Sequence, residues 1–228
     1  MARVNLARRA EIGSEKRART RAAIVKAARD CYAEAQAGAV TIDALMQAAG
    51  LAKGTFYVHF RDLAELEAEL GAAVVEEIDE ELQPARLAVS DPLARLATAT
   101  TILLRHLAAQ PARARLTARA AANIPDVSQA VHARLREDLA AAQAAGRLVL
   151  PSSELAARIV SAIVVQTVRD FGLGRIDTKA IPDIVRAILR AIGCAPADAA
   201  SRTAQAGRNA DKFAQQTAAS GGKSSKGG

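Results

Sequence analysis

Between residues 181 and 192 the chain carries Ile181, Ile184, Val185, Ile188, Leu189 and Ile192, at offsets of 0, 3, 4, 7, 8 and 11. Only one face of an α-helix brings such positions together. The same period governs Leu63, Leu66, Leu70, Val74, Ile78 and Leu82, and again Leu93, Leu96, Ala97, Thr100, Leu103, Leu104 and Leu107. Runs that alternate apolar and polar residues hardly occur. Fifty-six of the 228 residues are Ala, the residue with the highest helix propensity. The chain therefore reads as all-α.

Punctuation divides the helices. Residues 1–14 read as a flexible basic arm. Ser14 is the expected cap of a first helix, with Ile24, Ala27, Ala28, Cys31, Tyr32 and Ala35 inward and Gly38 as its stop. Thr41 caps a short helix ending at Gly50, a second short helix covers residues 53–59, and Asp62 caps a longer one closed by Pro84. Asp91-Pro92, Pro111, Asp126, Ser152-Ser153 and Thr178 open the later helices. Residues from about 196 onward are rich in Ala, Gln, Ser, Gly and Lys and read as a disordered tail. The division is thus 1–14 arm, 15–62 first domain, 63–195 helical domain and 196–228 tail.

Charge narrows the function. Residues 1–30 carry a net +6 and residues 61–82 a net −8, so one end of the chain suits an anionic partner such as nucleic acid. No apolar run reaches a membrane span, no secretory h-region follows the N-terminus, and residues 1–30 hold no aromatic for an interfacial helix. Two distant cysteines, Cys31 and Cys194, make neither a disulfide framework nor a metal finger. The expectation is a cytoplasmic protein with no cofactor, no metal and no membrane partner. His106 and His132 are isolated, and no nucleophile or phosphate loop forms a catalytic constellation, so an enzyme is not expected. Arg113, Arg115 and Arg119 read as a solvated face.

Residues 41–60 carry the chemistry. A capped short helix, a Gly50 turn and a polar-aromatic second helix form a helix-turn-helix pattern, which places its second helix in the DNA major groove. Lys53 and the free N–H groups at that helix start favour phosphate, and Gly54 permits close approach. Thr55 suits a base edge or a thymine methyl, while Tyr57 and His59 can reach phosphates. Phe56 and Phe60, four apart, point inward.

The run Ala-Ala-Gly-Leu-Ala-Lys-Gly-Thr-Phe-Tyr-Val-His-Phe, residues 48–60, resembles the DNA-binding domain of the TetR family of bacterial transcriptional regulators, and the resemblance extends over about residues 16–70. It implies an N-terminal three-helix DNA-binding domain followed by a C-terminal helical bundle for ligand binding and dimerisation. It implies a homodimer acting as a ligand-responsive repressor on a palindromic double-stranded operator. Carried over by position, Thr41, Lys53, Gly54, Thr55, Tyr57 and His59 would contact DNA, with Arg17, Arg19 and Thr20 on phosphates. The last two helices would pair with their copies through Ile159, Ile163, Val164, Ile184, Ile188 and Ile192, and a small-molecule effector of unknown identity would bind among the central helices. Ala52 stands where the family usually has a Ser or Thr cap, and Leu63 where it usually has Lys. The alternative is an architectural protein that binds DNA without sequence preference.

Overall fold

The computed structural model describes residues 2–34, 40–123, 129–150 and 152–224. The expected stop at Gly38 and the expected cap at Asp126 lie outside the described residues. Among those described there is no strand, and the helices fall into two compact units, residues 1–70 and 71–228.

The first unit comprises α1 (Ala2–Glu34), α2 (Ile42–Ala48), α3 (Lys53–His59) and the opening turns of α4 (Leu63–Leu87). Its core is Ile24, Ala27, Ala28, Leu45, Met46, Phe56, Phe60, Leu66, Ala68 and Leu70. The α1 residues among them are the face read from spacing. The expected arm is replaced by helix: α1 continues back to Ala2, through Gly13 and Ser14. Ala, Arg, Leu and Glu dominate that stretch, and their propensity outweighs the cost of one glycine, about 1 kcal/mol.

The second unit continues with α5 (Pro92–Ala108), α6 (Pro111–Asn123), α7 (Gln129–Ala144), α8 (Ser153–Gly172), a 3-10 turn at Thr178–Ala180, α9 (Ile181–Ala191) and α10 (Pro196–Ser224). Helix α5 is the hub, touching α6, α7, α8, α9 and α10. It starts where the sequence indicates: the Asp91 side chain accepts from Ala94 N–H at 2.8 Å, with Pro92 in the first turn. Ser152 caps α8 in the same way.

Two boundaries differ from the sequence reading. Pro84 lies inside α4 rather than ending it. It removes a single hydrogen bond, to the carbonyl of exposed Glu80, in the helix's final turns, where that loss is least costly. The larger difference is α10, which occupies the expected disordered tail. Ala199, Thr203, Ala206 and Ala210 are buried at spacings of 4, 3 and 4, and α10 packs along α5. Asn209 Nδ2 donates to Thr98 Oγ1 at 3.2 Å, and Arg105 pairs with Asp211 at 2.7 Å. Small side chains let two helix backbones approach closely, so a face that looks barely hydrophobic still buries surface along its length.

Candidate nucleic-acid interface and effector cavity

The α2–α3 turn follows from Gly50. Its φ of 65° is left-handed, which costs a glycine nothing. Gly50 N–H donates to Gln47 O at 3.0 Å and Leu51 N–H to Met46 O at 2.9 Å, the paired bonds of a Schellman ending. Thr41 caps the other end of α2, accepting from Ala44 N–H at 3.2 Å.

Helix α3 is sorted into two faces. Phe56 and Phe60 are buried, their rings 5.6 Å apart, and the Arg21 guanidinium lies 4.7 Å over the Phe60 ring while pairing with Glu69. The other face is open. Tyr57 is 55% exposed, Lys53 and Gly54 are exposed, and Thr55 and His59 are half-buried beside them. A side chain added at Gly54 would meet nothing within 4 Å. The fold itself therefore does not require glycine there.

Lys53 is already engaged: its Nζ donates to Asp43 Oδ2 at 2.9 Å. That bond raises the ammonium above its ordinary pKa. Ala52 makes no side-chain cap to α3, so the N–H groups of its first turn lack the usual hydroxyl acceptor. Two features of this surface were not singled out from the sequence. One is Asp43 as the partner of Lys53. The other is Val58, 72% exposed and four residues beyond Gly54, a spacing that marks the same helix face.

The remaining expected contacts sit on α1. Arg17 is exposed. Arg19 is exposed and paired with Glu15 at 3.1 Å, and the Thr20 hydroxyl donates to Lys16 O at 2.9 Å. At the start of α4, Asp62 accepts from Glu65 N–H at 2.8 Å, and the Glu65 carboxylate accepts from the Arg61 backbone at 2.8 Å and its guanidinium at 3.1 Å. Those bonds hold Glu65 below the usual carboxylate range.

The second unit holds a partly open cavity of about 180 Å³ among α4, α5, α6, α7 and α8. Leu82, Leu96, Leu103, Val160, Val164 and Val168 are among the apolar residues of its wall. Its charged lining groups are matched within the protein. Asp138 accepts from Arg86 at 2.9 Å and Arg95 at 2.7 Å, and Asp79 pairs with Arg134 and accepts from Gln83 at 3.3 Å. Two lining atoms, Thr117 Oγ1 and His132 Nδ1, are buried with no hydrogen-bond partner among the described residues.

Of the three arginines of α6 read as a solvated face, Arg119 is exposed, but Arg113 and Arg115 are half-buried. Arg113 pairs with Glu77 at 3.0 Å and donates to His106 Nε2 at 3.0 Å, and Arg115 donates to Gly172 O at 3.2 Å. Because a guanidinium only donates, His106 Nε2 accepts and its proton sits on Nδ1. Burial and the Arg113 charge lower the His106 pKa.

The six expected interface residues separate. Ile188 and Ile192 are buried in the core of their own subunit, at 1% and 0% exposure, and have no surface to offer a partner. Helix α10, absent from the sequence reading, joins the same core, and α9 packs against it. Ile163, Val164 and Ile184 are partly buried against that core, with Val164 also in the cavity wall. Ile159 is half-exposed on α8, between exposed Leu155 and Ala162.

Among the described residues no cluster of His, Cys, Asp and Glu could hold a metal, and no helix is long and apolar enough to cross a membrane.

Residues 24–70 match the profile of the bacterial regulatory proteins of the tetR family. Comparison with curated protein sequences returns no significant match. Among solved structures, the fold is similar to that of RolR in complex with resorcinol (22% identity over 83% of this chain and 95% of that one, TM-score 0.69). It is also similar to the fatty acid degradation regulator FadR from Bacillus halodurans (18% identity, 77% and 97% covered, TM-score 0.58). A third is TylP, a TetR regulator from Streptomyces fradiae (22% identity, 85% and 98% covered, TM-score 0.52).

Proposed function

We propose, from the match of residues 24–70 to the tetR family of bacterial regulatory proteins, that the chain is a member of that family and a dimeric repressor that binds a palindromic operator and releases it when a small molecule fills the cavity of the second unit. The observation that carries the reading is the division of α3. Phe56 and Phe60 anchor the helix from within, and Lys53, Gly54, Tyr57 and Val58 face solvent together. An anchored helix with a cationic, hydrogen-bonding outer face is what major-groove docking requires.

In this reading Tyr57 and His59 meet phosphates and position the helix, Lys53 supplies charge at its start, and Thr55 and Val58 face base edges. Arg17, Arg19 and Thr20 add phosphate contacts from α1. A second copy of the chain covers the outer stripe of α8, where Leu155 is 41% exposed beside Ile159 and Ala162. Two-fold symmetry then presents two α3 helices to half-sites about 34 Å apart, one turn of DNA. Support for effector control comes from the largely apolar cavity and from the structural similarity to RolR, whose solved complex contains resorcinol. Control arises if the ligand-filled subunit favours a half-site spacing different from that of the operator.

The test is fluorescence-anisotropy titration of the full chain against a duplex from the region upstream of its own gene, beside a scrambled duplex, at several salt concentrations. Preference for the native duplex of ~10³-fold or more is expected. Equal, salt-labile binding to both would replace the reading with that of an architectural protein, and no binding at low salt would remove DNA from the account.

A further inference from the structure

We propose that the cavity of the second unit takes an uncharged, single-ring compound bearing a hydroxyl group. The proposal rests on the reading of that cavity as the effector site and names the chemistry it selects.

Three observations carry it. The first is size. At about 180 Å³ the cavity is slightly larger than the ~150 Å³ apolar cavity that holds one benzene molecule. One ring with a small substituent fills it, and a fused ring system or a long acyl chain would project out through its open side.

The second is charge. The ionised groups in the wall are Asp79, Arg86 and Asp138, and each has its counter-charge inside the protein. Asp138 is shared by two arginines, and Asp79 is held by Arg134 and Gln83. A charged ligand would enter a largely apolar site and find no unmatched partner among the described residues. Burying an unpaired ion is among the costliest steps in molecular recognition.

The third is the pair of orphaned polar atoms. Thr117 on α6 is 8% exposed and its Oγ1 has no partner; His132 on α7 is half-buried, and its buried Nδ1 has none either. Both residues line the cavity. Buried hydroxyls and ring nitrogens are rarely left unbonded. The Thr117 hydroxyl can donate or accept, and so can a ligand hydroxyl, so one ring –OH that displaces the side chains covering these atoms can satisfy either. Apart from the hydroxyls of Thr100 and Ser161 and the internally paired Asp79, Arg86 and Asp138, the rest of the wall is Leu, Val and Ala, which offer the ring dispersion and exclusion of water.

The experiment uses the full-length protein without DNA and titrates phenol, toluene and benzoate by calorimetry, with Thr117→Val, Thr117→Ser and His132→Leu as variants. Phenol is expected to bind at least ten-fold tighter than toluene, with benzoate weakest. Thr117→Val should weaken phenol about five-fold, the worth of one neutral hydrogen bond. Toluene should stay unchanged, which shows that the variant cavity is intact. Thr117→Ser should retain phenol binding, and His132→Leu should weaken phenol and spare toluene. Toluene equal to phenol, benzoate tighter than phenol, or no binding of any of the three overturns the proposal. Operator affinity, measured separately with saturating phenol, tells the two ideas apart. Phenol binding without any change in operator affinity upholds the ligand class and removes the regulatory reading. Operator release by some other small molecule, with all three probes inert, does the reverse.

Discussion

The Lys53 ammonium sits 2.9 Å from the Asp43 carboxylate, tying the first turn of α3 to the first turn of α2. Both side chains are more than half exposed, so the pair is worth little to stability. Its importance lies at the proposed DNA interface, where a phosphate would have to displace Asp43 to engage Lys53 and would then face a nearby negative charge. Asp43→Asn is expected to tighten operator binding several-fold at low salt, with the gain shrinking as salt rises. Lys53→Met should weaken binding on every duplex and flatten the salt slope by about 1. Anisotropy titrations across a salt series measure both.

Helix α3 begins at Ala52 without a side-chain acceptor. Ala52→Thr supplies the oxygen at a residue whose φ of −71° and ψ of 144° already suit a cap. The expected gain is about 1 kcal/mol, read as a higher urea midpoint with unchanged slope. A neutral or destabilising result would mean that the first-turn N–H groups are already satisfied.

Gly71 on α4 lies tight against α6. A Cβ there would lie 2.2 Å from the Leu116 carbonyl oxygen and 2.6 Å from the Ala120 Cβ. Neither atom belongs to a flexible side-chain end, so the helices must part. Gly71→Ala should cost about 1–3 kcal/mol despite its better helix propensity, measured by chemical denaturation. An increase in stability would show that the two helices separate freely.

His106 gives the second unit a dependence on pH. Its folded-state pKa lies below the unfolded value of about 6.5. The unfolded chain therefore binds the proton more readily, so this contribution is fully present above pH ~6.5 and is lost as pH falls through that value toward the folded pKa. Denaturation midpoints at pH 7.5 and 5.5 should differ less in His106→Gln than in the parent. An identical pH dependence in the two proteins would place the sensitivity elsewhere.

The proposed interface on α8 is tested by Ile159→Glu. A carboxylate on that stripe should convert a dimer to a monomer in light scattering, with operator affinity falling in parallel. The same change in mass without loss of operator binding would detach dimerisation from DNA recognition.

Much of the first unit was legible because its signals are local. Thr41, Gly50, Phe56 and Phe60 act on neighbours within a few residues, and the cap, the turn and the buried face all appear where spacing puts them. Helix α10 was not legible, since Ala199, Thr203, Ala206 and Ala210 bury by closeness rather than by hydrophobic bulk. Their 4-3-4 spacing, continued by Phe213, was the available signal. The polar character of the segment obscured it. Arg113 and Arg115 were misread because their partners, Glu77 and the Gly172 carbonyl, are distant in sequence. The cavity is the extreme case, since five helices each supply part of its wall and no short run of residues encodes it.

The internal pairing of Asp79 and Asp138 has a thermodynamic consequence. A receptor whose ionised wall groups are matched from within binds a neutral guest with almost no exchange of counterions, so effector affinity should stay level between dilute buffer and molar potassium chloride. The grip of α3 on a polyanion changes steeply over the same range. On the proposed function, one chain would carry two equilibria that answer to different solvent variables. A salt titration alone can move the DNA-bound fraction while the cavity stays filled.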